Sequence, residues 1–144
     1  MGRLNVRIKV RNWTDVELLA LGKTDQSPRT VEAEACVDTG PTGFCLKRSL
    51  SAESGLRCIG EKQALTMSNR SEIRRVFSPV ELEIQGRTAQ VGVAELPDEL
   101  PNLVGQVPLE LMNWAVDAGN RKRIGNPAHG GQWLQEEFSD VLSV

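Results

Sequence analysis

The sequence predicts an all-β, barrel-like domain, and three observations lead there. Short runs of alternating apolar and polar residues recur along the chain, turn-forming residues separate them, and only one stretch reads clearly as a helix. At 144 residues the chain has room for one domain with a single core.

The first strand is set by Leu4, Val6, Ile8 and Val10 alternating with Asn5, Arg7 and Lys9. Asn12-Trp13-Thr14-Asp15 interrupts that pattern, and residues 21 to 30 are rich in turn formers, which predicts an exposed loop. Val31, Ala33, Ala35 and Val37 then share one face of a second strand, with Glu32, Glu34 and Cys36 on the other. This strand runs directly into Asp38-Thr39-Gly40, so Asp38 stands at a strand end. Gly40 lets the chain fold back sharply and aim backbone N–H groups at the carboxylate.

After the turn, Phe44-Cys45-Leu46 reads as a short buried strand and Ser49 to Ser54 as one or two helical turns stopped by Gly55. Residues 62 to 67 and 72 to 77 flank the polar turn Ser68-Asn69-Arg70 and predict a hairpin. A second hairpin pairs Val80, Leu82 and Ile84 with Ala89, Val91 and Val93 across Gly86-Arg87. Leu96 to Pro101 forms a connector whose prolines cannot donate to a ladder. Pro108 suits the first turn of a short helix with Leu109 and Met112 on one face. A last hairpin is expected from Trp114 to Asp117 and Arg121 to Ile124, joined by Ala118-Gly119-Asn120. Residues 1–127 are read as the domain and 128–144 as a tail, with Trp133 to Phe138 a short amphipathic element.

Composition narrows the function classes. A formal net charge of -2, with Arg121-Lys122-Arg123 the one tight basic cluster, argues against nucleic-acid binding. No run approaches the roughly 18 apolar residues of a membrane span, and Met1-Gly2-Arg3-Leu4-Asn5 lacks the apolar core of a signal peptide, so the expectation is a cytoplasmic protein with no membrane partner. Cys36, Cys45 and Cys58 lack metal or redox spacing and are expected as reduced thiols. His129, the one histidine, lies far from Cys45 in the tail. That argues against a cysteine nucleophile and against a histidine metal site.

Asp38-Thr39-Gly40 after an apolar strand resembles the catalytic loop of aspartic proteases. With one copy in a short chain it is similar to the retropepsin-like branch and its bacterial relatives. Asn102 to Glu110 resembles the family's second signature, in which Leu103, Val104 and Gly105 pass behind the catalytic loop and lead into a short helix. The order between these anchors also fits, with Leu46 to Leu56 after the active-site turn and Met67 to Arg70 as a flap tip. The resemblance covers roughly residues 4 to 127.

What the resemblance implies is the acid-protease fold in single-lobe form and an aspartic endopeptidase. Asp38 would activate water, Thr39 and Gly40 would brace it, and Met67, Ser68 and Asn69 would lie near the flap tip over an extended peptide. No metal and no organic cofactor is implied. A homodimer is implied, because peptide hydrolysis by carboxylates needs a base and an acid together, and this chain has one such loop. Two carboxyl groups about 3 Å apart repel by roughly 5 to 6 kcal/mol at an effective dielectric of about 20, so they share one proton and titrate as a unit. The alternative on the same fold is a dimeric peptide-binding or scaffold module that cleaves little. The chain departs from the family pattern at Pro41, at the glycine-free Ser68-Asn69-Arg70, and at Gln106, where retroviral enzymes carry arginine.

Overall fold

Alternation accounts for the first two strands of the computed structural model, which describes residues 3–38, 43–65, 69–117 and 122–125. Strand β1 (Arg3–Asn12) buries Val6, Ile8 and Val10 and pairs antiparallel with β2 (Thr30–Asp38), setting Val6 opposite Ala35 and Val10 opposite Val31. Val31, Ala35 and Val37 are buried and Glu32 and Glu34 exposed, as the period of two requires.

The chain continues through β3 (Phe44–Lys47), β4 (Cys58–Leu65), β5 (Ser71–Ile84), β6 (Arg87–Leu96) and β7 (Asn102–Val104). These strands hydrogen-bond in the order β1-β2-β7-β3-β6-β5, and β5 returns to β1 with Val10 opposite Leu82, which closes a barrel. The barrel interior is filled by Val10, Val37, Leu46, Val80, Leu82, Ile84, Val93 and Val104, all essentially inaccessible to water. Strand β4 stands outside the closure and pairs only with β5.

Strand β5 merges what alternation suggests are two strands. Its first part, Ser71–Phe77, pairs with β4 as an arm, and its second part, Val80–Ile84, pairs with β6 and β1 inside the barrel. The register shifts between Phe77 and Val80, where Pro79 has no N–H to donate. Ser78 secures this bend, its N–H donating to the Arg57 carbonyl at 2.8 Å and its Oγ accepting from the Arg57 N–H at 3.1 Å.

At the β5–β6 turn the expectation shifts by one residue. Gln85 and Gly86, not Gly86 and Arg87, occupy the tip, with φ of 48° and 84°, because a two-residue hairpin of this hand needs positive φ at both central positions. Arg87 is instead the first residue of β6. It is buried, stacks 4.2 Å from the Trp114 ring and donates to the Asn113 carbonyl at 3.0 Å.

Three helices are present where sequence patterning predicts one clear helix and a helical turn. Helix α1 (Trp13–Ala20) occupies the stretch read only as an interruption. Asn12 caps it, its Oδ1 accepting from the Asp15 N–H at 3.2 Å, while its Nδ2 donates to the carbonyls of Ser54 and Gly55. Helix α2 (Arg48–Glu53) ends at Gly55 with φ of 69°, where a Cβ would meet the Arg29 guanidinium at 2.1 Å. Helix α3 (Gln106–Leu111) follows Gly105 and buries Pro108 and Leu109, with Met112 behind them. Strands β8 (Trp114–Asp117) and β9 (Lys122–Gly125) form the expected last hairpin. Arg121 and Trp133 to Phe138 lie outside the described residues.

Asn12 is buried and ties β1, α1 and the end of α2 together through one amide. Asn12→Ala is expected to lower stability by about 1–3 kcal/mol. Urea denaturation with an unchanged midpoint would show that this amide does not hold the three elements.

Candidate functional site

The two strands on either side of the Asp38 turn do not pair with each other. Both pair with β7, which lies between them, parallel to β2 and antiparallel to β3. Val37 and Phe44 are each opposite Val104, and the Gly105 N–H donates to the Gly43 carbonyl at 2.9 Å. Val104 is 0 % exposed and fills the core between these strands. Leu103, Val104 and Gly105 thus run across the base of the segment that joins Asp38 to Gly43.

Asp38 itself is the last residue of β2, half-buried, with its Cα opposite Arg3. Thr39 and Gly40 lie outside the described residues, as do Pro41 and Thr42. Of the flap-tip residues, Met67 and Ser68 also lie outside them. Asn69 is exposed near the end of the β4–β5 arm, with φ of 63°.

Asn102 is the residue that patterning undervalues. It is 2 % exposed, its Oδ1 accepts from the Lys47 N–H at 2.8 Å, and its Nδ2 donates to the Glu34 carbonyl at 2.9 Å. One amide therefore fastens β2 and β3 at the end of β7 away from the turn. Gly105 fastens the other end. A buried side-chain amide satisfied on both sides needs two strands at fixed separation. A polar residue immediately before an aliphatic pair is the only signal the sequence gives of this role.

Register carries the site outward from Asp38. Cys36 is opposite Leu103, Leu103 opposite Cys45, Cys45 opposite Ala94, Ala94 opposite Val76, and Val76 opposite Gly60. These six residues make one row across β2, β7, β3, β6, β5 and β4, on the face turned from the core. Asp38 shares that face, two residues beyond Cys36. Lys62 and Arg74, opposite each other on the arm, share it from the other side, two residues beyond Gly60 and Val76. Leu103, Cys45 and Val76 are half-buried there. Burial pushes the Cys45 thiol up, while the charges of Lys62 and Arg74 draw it down, which places both cations near the thiol.

A second polar cluster fixes the base of the arm. Glu95 on β6 has a side chain 7 % exposed and accepts two hydrogen bonds from the Arg75 guanidinium, one of them 3.1 Å long. Arg48 of α2 approaches within 3.4 Å, and Arg75 also lies 5.2 Å from the Phe77 ring centre. The hydrogen bonds from Arg75 hold the Glu95 carboxyl below its ordinary range, against the desolvation that pushes the other way.

Among the described residues no three His, Cys, Asp or Glu side chains are grouped to hold a metal ion. No helix is long and apolar enough to cross a membrane. Comparison with protein-family models gives no match, and no curated protein matches the chain.

Asn102→Ala is expected to cost about 2–3 kcal/mol, since two buried backbone groups lose their partner. Retention of wild-type stability in thermal denaturation would remove the clamp. Glu95 has a depressed folded-state pKa, so its contribution is present above the unfolded value and is lost as pH falls through the folded value. Glu95→Gln is therefore expected to destabilise by about 1 kcal/mol at pH 7. The gap between variant and wild type should close below about pH 4. A gap independent of pH would refute the role of the Glu95 charge.

Proposed function

We propose that this protein is a homodimeric aspartic endopeptidase of the retropepsin-like kind. The observation that carries the reading is the passage of Leu103-Val104-Gly105 between β2 and β3, behind the segment that Asp38 opens. Two sequence signatures far apart in the chain meet at one place, with Asp38 at a strand end and facing away from the core. The closed barrel and the arm that extends from it past β5 agree with the same reading.

In this mechanism a two-fold axis brings Asp38 of two chains together. One carboxylate takes a proton from a water held between them, and the water oxygen attacks the peptide carbonyl. The other carboxyl group gives its proton to the carbonyl oxygen, and the tetrahedral adduct collapses as the leaving nitrogen is protonated. The shared proton is what lets one pair of like groups act as base and acid in the same step. Each β4–β5 arm closes over the peptide and pairs with its backbone as an added strand. Thr39 and Gly40 brace the carboxyl pair, and the residues Met67 to Asn69 form the arm's closing tip.

The test is cleavage of a random peptide library from about pH 4 to 7. Cleavage by the native chain is expected, with Asp38→Asn lowering kcat by about 10²–10⁴-fold. Sedimentation equilibrium should give the mass of two chains under the conditions that support cleavage. Activity that survives the substitution, or that resides in the single chain, would overturn the reading.

A further inference from the structure

The face that carries Asp38 is not uniform. At its centre Leu103, Cys45 and Val76 form a floor that is half-buried and carries no formal charge. At the side toward the arm stand two cations. Arg74 has a side chain only 15 % exposed and is held by Glu72 at 2.8 Å, so its charge is largely offset. Lys62, its cross-strand neighbour, is exposed and has no ion-pair partner among the described residues. The excess positive charge at this edge therefore resides on Lys62. Asp38 and Lys62 occupy opposite corners, one beyond Cys36 on β2 and the other beyond Gly60 on β4.

We propose that this face selects an extended peptide bearing a glutamate displaced from the bond that is cut, its methylenes lying on Leu103 and Cys45 and its carboxylate meeting the Lys62 ammonium. The assignment rests on the endopeptidase reading and names its substrate class. An apolar floor with one uncompensated cation at its edge suits a side chain that is aliphatic at its root and anionic at its end. Glutamine would keep the floor contact and lose the charge. Lysine would set like charges together, which excludes it by repulsion as well as by lost attraction. Arg74 serves here to hold the arm's edge in place through Glu72, and Lys62 is the specificity-determining residue.

The experiment measures binding separately from cleavage. Fluorescence anisotropy of three labelled peptides, identical except for glutamate, glutamine or lysine at one position, is read with the full chain carrying Asp38→Asn so that no peptide is consumed. The glutamate peptide is expected to bind about tenfold more tightly than the glutamine peptide, with the difference shrinking as salt is raised. Lys62→Glu in the same background should reverse the order and favour the lysine peptide. Lys62 is exposed, and an unchanged circular dichroism spectrum shows that the variant is folded. Equal binding of the three peptides, an order that survives Lys62→Glu, or no binding of any of them would overturn the proposal. Cleavage of the same peptides by the native chain without charge preference would leave the endopeptidase reading standing and remove this one. A Lys62-dependent preference in binding with no cleavage at any pH would do the reverse.

Discussion

The position of β7 between β2 and β3 is the constraint on which the rest of the structure depends. A turn that leaves one strand and enters the next would ordinarily be closed by pairing of those strands. Here the two are held apart by a third, so the joining segment has a wide base fixed at both ends. Asn102 sets the width at one end with a buried amide, and the Gly105 N–H sets it at the other through the Gly43 carbonyl. Val104 fills the gap from the core side. Rigidity at this point is what a carboxyl group needs if its geometry is to be matched by a second copy.

The barrel and the arm divide the remaining work. Closure from β5 to β1 removes the free edges of the main sheet, leaving β4 to extend away from it. The same strand, β5, belongs to both bodies, and the Ser78-Pro79 bend marks where one gives way to the other. Arg75 and Arg48 converge on Glu95 just on the arm side of that bend, so the angle at which the arm leaves the barrel is tied to a charge cluster as well as to backbone pairing.

Much of this architecture is legible in the sequence because burial on one face writes a period of two. Leu4 to Val10, Val31 to Val37 and Val80 to Val93 all show it, and the corresponding strands are where alternation puts them. Helix α1 is not legible for the complementary reason. It buries no residue completely, so no apolar stripe repeats at helical spacing, and its one local signal is Asn12 capping the Asp15 N–H. The β5–β6 turn is misplaced by one residue because Gln85 adopts a positive φ that its residue type does not advertise. At the candidate site, the strand-end place of Asp38 follows from alternation. The clamp by Asn102 does not, since it depends on which strands become neighbours, a fact set by topology and not by any local pattern.

Leu103 also acts as insulation. Cys36 and Cys45 both lie directly beside it on one face, so their Cα atoms are separated by two strand spacings, on the order of 10 Å. A disulfide spans no more than about 7 Å between Cα atoms. Oxidation therefore cannot staple these two thiols to each other while the sheet is intact, and the width of the slot stays independent of the redox state around it.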